Sequence, residues 1–347
     1  MKKNTAALLA LTAALLTGCA GKPAVSEPSV PTPTETAATE APAAVPVKTG
    51  LYIGADLSKS QSAVDGEAGK AKLDVTMVAV TVTDEGVITS CVIDTVPATV
   101  AFDAGGGITT DLTAEVLTKN ELGEDYGMKE SGSAFEWNEQ ASALARYAEG
   151  KTVAQLKTAA IDETGHALDA DLASTASIYL GGFVDGIEQA VDSARHLGAK
   201  MGDKLTLASR NSLDGGRNAG DEDGVAQLDS QIAAVTWNGD VISSCYIDGI
   251  QPRVCFDAKG VITSDLNAGV LTKNQQGEDY GMKTYGGAQF EWNEQAASFA
   301  AYVTGKTAAE VAGIAVTEAG KAEDADLSSS VTISIGSFLE LIQKAAN

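Results

Sequence analysis

The 347 residues include 44% hydrophobic side chains and carry a formal charge of −23, which is apolar surface enough for about two folded cores. The acidity argues against nucleic-acid binding, because neutralising phosphates takes clustered Lys and Arg, and it favours solubility and cationic partners. With only two histidines, a His-rich metal centre is excluded as a reading.

In chain order, Lys2 and Lys3 precede an apolar run that closes on Leu16, Thr17, Gly18 and Cys19. This is the layout of an export signal, and the run is shorter than the roughly 20 residues a membrane span needs. Its ending resembles the lipobox of bacterial lipoproteins. That resemblance implies a signal peptide over 1–19, lipidation of Cys19, the bilayer as a partner, and an extracytoplasmic position, lipid-anchored to the bacterial cell membrane. Residues 20–48 are rich in Pro, Thr, Ala and Glu with almost no large apolar side chain, a composition that cannot bury enough surface to fold. They are predicted to be a disordered tether.

The chain then writes one module twice. The stretch from Thr118 to Gln140 shares TKN, GEDYGMK and EWNEQ with the stretch from Thr272 to Gln295. Cys91 and Cys245, Gly150 and Gly305, and Asp171 and Asp326 fall at the same places in the two copies. A period of about 155 residues is a whole domain rather than a solenoid repeat of about 20–50. Two tandem homologous domains are expected, over 49–195 and 204–347.

Each copy opens with a predicted strand, LYIGA from Leu51 in the first, and a polar loop. In the second copy the loop NSLDGGRNAGDEDG is acidic, but its spacing does not fit a calcium loop: with Gly224 as the turn glycine, Ala219 and Ser230 fall at ligand positions. A hairpin follows, DVTMVAVTV from Asp74 with a turn at Asp84, Glu85 and Gly86 and then VITSCVID, repeated as QIAAVTW and VISSCYID. Beta-branched alternation about a glycine-containing turn is the signal for it. GITTDL from Gly107 and VITSDL from Val261 are expected to extend the sheet. Trp137, Ala141, Leu144 and Tyr147, closed by Gly150, predict an amphipathic helix. Thr152 with Gln155, and Thr307 with Glu310, predict capping boxes. A last helix with one apolar face is expected from Ser177 and from Thr332. The fold class is therefore α+β, each domain a mainly antiparallel sheet packed with helices.

The sequence shows no Ser-His-Asp or Cys-His arrangement, no zinc set and no phosphate-cradling glycine loop, so no enzyme site, catalytic residue or metal ligand is assigned. Cys91, Cys245 and Cys255 read best as free thiols, with a Cys245–Cys255 disulfide as the other possibility. Asp171, Ser174, Thr175, Ala176 and Ser177 read D-x-x-S-T-A-S, and Asp326, Ser329, Ser330, Val331 and Thr332 read D-x-x-S-S-V-T. A helix start of this kind suits its own capping or a phosphate. Tyr126, Met128 and Trp137, with Tyr280, Met282 and Trp292, fit either core or a stacking surface for a flat ring. Glu136, Glu139, Glu291 and Glu294 suit the positive end of a helix dipole.

These motifs, with the strand at Gly50 to Gly54 and the hairpin, resemble the FMN-binding domain of bacterial flavin-carrying lipoproteins, including tandem-domain ones used in extracellular electron transfer. The resemblance implies FMN linked through its phosphate by a flavin transferase to Ser177 or Thr332. Ser174, Ser329, Asp171 and Asp326 fall at the other motif positions, and a membrane redox partner is implied. The motif glycine is here Thr175 or Ser330. Two functions follow: a flavin-bearing extracytoplasmic electron carrier, or a cofactor-free ligand-binding or surface-interaction lipoprotein of the same fold.

Overall fold

A computed structural model describes residues 45–64 and 66–347. The signal segment, Cys19 and all of the tether before Val45 lie outside the described residues. The chain is α+β, with antiparallel sheets packed against helices. In the first copy, β1 (Lys48–Asp56), β2 (Gly69–Val82) and β3 (Ile88–Phe102) form an antiparallel meander. The second copy repeats it as β4 (Lys204–Ser212), β6 (Asp229–Asn238) and β7 (Val241–Ile250). The continuations of its two long strands split off as the short pair β5 (Gly224–Gln227) and β8 (Arg253–Phe256). The break falls at Pro252, where the first copy has Ala98. Proline has no N–H to give to the ladder.

The strands explain where the cores lie. Along β2, Leu73, Val75, Met77 and Ala79 point to one face and Val78 and Val80 to the other, as a period of two requires. The first set joins Leu228, Ile232, Ala234 and Phe256 in one shared core between the two sheets. The second set packs under the first copy's own helices, α2 (Trp137–Ala148) and α5 (Gly181–Asp192). The outer face of the other sheet does the same under α7 (Trp292–Val303) and α10 (Gly336–Ala346). The layers run helices, sheet, sheet, helices. Sequence repetition predicts two domains, and the contacts gather both copies into one compact unit, 44–347.

Equivalent residues meet across this shared core. Phe102 and its counterpart Phe256 are fully buried and stack with ring centroids 4.0 Å apart and 3° between planes. Beside them the Ala63 N–H donates to Gly260 O and the Ala219 N–H to Gly106 O, both at 2.8 Å. Such reciprocity is the mark of a two-fold relation. It also explains Gly106: with φ of 72° and Asp257 O 2.9 Å from where a Cβ would stand, only glycine fits.

Both hairpins, both capping boxes and the glycine stop after α2 stand as the sequence predicts. Three expectations are corrected. The tether is expected to run to Lys48, but Val47 is buried, its N–H donates to Ala199 O at 3.0 Å, and β1 already begins at Lys48. GITTDL and VITSDL form no strand; Ile108 and Ile262 each make one bridge, back to Phe102 and Phe256. The closing helices begin at Gly181 and Gly336, four residues after Ser177 and Thr332, because the amides in between are drawn to other acceptors.

Candidate functional site

The duplicated signature is a knot of hydrogen bonds. Thr118 caps α1 (Lys119–Leu122) in a capping box with Glu121. The buried Asp94 carboxylate accepts from the Thr95 and Asn120 amides at 2.7 and 3.1 Å, and Asn120 donates to Ile93 O. Gly127, with φ of 81°, turns the chain so that the Met128 and Lys129 amides both donate to the buried Glu136 carboxylate at 2.9 Å. Glu136 in turn heads α2, with Glu139 bonding its amide. Its charge also suits the helix dipole. Burial pushes the Asp94 carboxyl up to about 6, and that of its counterpart Asp248 likewise, against the pull of the amides they accept from.

Gln140 ties this knot to the predicted attachment segment. Its Oε1 accepts from the Ser177 N–H at 2.7 Å, the Ser177 hydroxyl at 3.2 Å and the Ile178 N–H at 3.2 Å. Gln295 does the same for Thr332 and Ile333. The amides expected to receive a phosphate are thus already bonded to a buried side chain. Ser177 is exposed and Thr332 half-buried. Ser174 and Ser329 turn their hydroxyls back to Asp171 O and Asp326 O at 2.7 and 2.8 Å. Asp171 and Asp326 lie within the four-residue helices α4 (Ala170–Ala173) and α9 (Ala325–Ser328), whose caps are Asp169 and Asp324. The structure therefore keeps the six predicted residues on one segment per copy, with the four hydroxyls bonded back to the chain and the Asp171 and Asp326 side chains exposed.

Directly after Ser177, Ile178 and Tyr179 line a cavity of about 540 Å³ in the first copy. Its apolar walls are Tyr52, Tyr126, Met128, Trp137 and Phe183; Asp56, Lys59, Asp74, Thr76, Thr95 and Lys119 make the polar one. Trp137 stands edge-on to Phe183 at 5.7 Å, and the Lys119 ammonium sits 4.8 Å from the ring centres of both Tyr126 and Trp137. Tyr52 lies back against Gly54 and Gly186, where any side chain would collide with it. Asp74 and Thr76 face the cavity because they alternate with the inward Leu73, Val75 and Met77. Burial holds the Asp74 carboxyl above the usual carboxylate range, against the opposing charges of Lys119, Lys72 and Lys59.

No protein-family model, curated protein or solved structure matches the chain. The most informative relative is therefore internal, the second copy. There the same positions are arranged differently: Arg210, Asp229 and Gln231 line a polar cavity of about 320 Å³, Gln251 and Tyr280 border another of about 730 Å³, and Met282, Trp292 and Phe338 line neither. Lys273, the counterpart of Lys119, is buried and pairs with Asp229 at 3.4 Å. Gln251 donates to the other Asp229 oxygen at 2.6 Å and accepts from the Tyr280 hydroxyl at 3.3 Å. In the first copy the residue at the place of Gln251 is Pro97, which has no polar side chain. Asp74, Lys119 and the Tyr126 hydroxyl consequently have no hydrogen-bond partner among the described residues, and Asp74 and Lys119 stand more than 4.0 Å apart. The floor differs as well: Gln231 replaces Thr76, Arg210 replaces Gly54, Leu341 replaces Gly186, and Phe338 is buried against Phe299.

A further cavity of about 510 Å³ lies between β7, α7 and the segment joining the copies. Its arginine, Arg195, is already bonded to the Tyr246 hydroxyl at 2.6 Å, so it offers less to a ligand. Burial pushes the Cys245 thiol on its wall up to about 12, and the Cys91 thiol is raised by the same cause, so neither is a ready nucleophile. All three described cysteines are free. Sequence reasoning singled out Tyr126, Met128 and Trp137 but missed Asp74, Lys119 and Pro97. The available signal was the exchange of Pro97 for Gln251 inside otherwise matching strands.

Proposed function

We propose that the chain is a lipid-anchored extracytoplasmic protein whose first copy binds one flat ring and whose second copy is its structural companion. A flavin is the first candidate, which makes the protein an electron carrier presented at the bacterial cell surface through Cys19. The observation that carries this reading is the aromatic cavity with unpaired polar groups, opening beside the exposed Ser177. In such a protein the chain supplies position and electrostatics and the cofactor supplies the redox chemistry. Transfer of FMN from its adenylylated form to the Ser177 hydroxyl, with adenylate as leaving group taking the hydroxyl proton, would break one bond to Gln140 and leave the two amide bonds to hold the segment.

A second reading keeps the cavity and drops the covalent flavin. It is favoured by the amides of Ser177 and Ile178, which Gln140 already occupies and a phosphate cannot use. One experiment separates the two: produce the chain with and without a flavin transferase, then look for flavin fluorescence that survives denaturing electrophoresis. A band lost in Ser177→Ala and retained in Thr332→Ala supports attachment in the first copy. Flavin that binds reversibly without a band supports the second reading, and no binding of either kind rejects both.

A further inference from the structure

The second copy shows what the first lacks. Where Tyr280, Asp229 and Lys273 converge, the Gln251 carboxamide fits between them, its N–H on the carboxylate and its C=O under the phenol hydroxyl. The same three residue types line the first-copy cavity as Tyr126, Asp74 and Lys119, with Pro97 in place of the glutamine. Half-buried groups of this kind are costly when unbonded, since each loses water without gaining a partner. A carboxylate acceptor sharing one cavity with an ammonium and a phenol donor is complementary to a ring N–H with carbonyls beside it.

We propose that the first-copy cavity recognises a planar ring through a lactam or cyclic-imide edge, which takes the place that the Gln251 carboxamide fills in the second copy. This inference rests on the ring-binding reading above and names the chemistry that the site selects. The ring N–H donates to the Asp74 carboxylate, and the adjoining carbonyls accept from the Lys119 ammonium and the Tyr126 hydroxyl. The ring faces lie among Trp137, Phe183 and Tyr52, where stacking adds area and orientation. The charges lining the cavity, Asp56 and Asp74 against Lys59 and Lys119, balance, so the recognised edge is neutral.

Equilibrium titration of the full chain in detergent with riboflavin and with 3-methylriboflavin tests this, because the methyl group removes only the imide N–H. The expected result is binding of riboflavin and at least a 30-fold weaker affinity for the methylated ring. Pro97→Gln, which restores the internal carboxamide, is expected to weaken riboflavin at least tenfold, while Gln251→Pro leaves that affinity within twofold. Equal affinity for the two rings overturns the proposed edge and leaves ring binding intact. Tighter binding of tryptophan than of riboflavin also overturns it, in favour of an amino-acid zwitterion across Asp74 and Lys119. If no flat ring binds, the ring-binding reading fails and the edge with it. The comparison of the two rings needs no variant, so a Pro97→Gln chain that fails to fold leaves the test complete.

Discussion

The two copies share their strands, their helices and the whole TKN-GEDYGMK-EWNEQ knot, yet one holds an aromatic cavity where the other joins Lys273, Asp229, Gln251 and Tyr280 in a bonded polar chain. The difference comes down to few positions. Thr76, Gly54 and Gly186 are small where Gln231, Arg210 and Leu341 are large, and Pro97 leaves unpaired the groups that Gln251 bonds in the second copy. A duplicated module can thus hold its frame fixed in both halves and vary only the outer face of one sheet. What the halves keep in common is structural, and where they part company is the place to look for function.

The comparison is broken most severely by separating the copies. Phe256→Ala removes half of the Phe102 stack from the shared core and is expected to cost about 3–5 kcal/mol, read by denaturant unfolding. Because both sheets lean on that core, one transition is expected. Two separate transitions would show that the halves fold independently.

Next in size is the glutamine of the knot. Gln140→Ala and Gln295→Ala each strand three donors, at about 1–3 kcal/mol. Their stability losses should agree within about 1 kcal/mol. Ring binding sharpens the contrast: it should fall at least tenfold in Gln140→Ala, which frees the Ile178 wall, and stay within twofold in Gln295→Ala.

The halves should match in their pH response. The carboxyls of Asp94 and Asp248 ionise at about 6 when folded, above the ordinary 3.8, so the folded chain binds more protons between those values. Their contribution to stability therefore rises as pH falls through 6, by about 1 kcal/mol per group between pH 7.5 and 5. Thermal melts should show the rise, and Asp94→Asn with Asp248→Asn should remove it. A rise that persists in the double variant would assign it to other groups.

The smallest effect on stability belongs to the cavity floor. Thr76→Gln gives the first copy the side chain of the second and is expected to change stability by less than about 0.5 kcal/mol. It should nevertheless remove ring binding, measured by flavin fluorescence.

Local order was legible in the sequence because its causes are local. The hairpins follow from alternation about a turn, and the capping boxes from Thr152 and Gln155 or Thr307 and Glu310. Partnership across the fold was not legible. Nothing in the letters of Glu136 and Gln140 says that they bond Met128, Lys129, Ser177 and Ile178 instead of water. The same is true of the face-to-face packing of the sheets, since alternation tells that a strand has two buried sides but not what covers each. The expected site residues fall on one segment in each copy, and the helix they were expected to head begins four residues further on. The cavity itself depends on an exchange of Pro97 for Gln251, whose meaning appears only once Asp229 and Tyr280 are seen to meet the glutamine.

The central claim is that one copy takes a flat ring and the other does not. Equilibrium dialysis of the full chain against riboflavin counts the sites directly. One site per chain, abolished by Thr76→Gln, is the predicted result; two sites of equal affinity, or none, would contradict it.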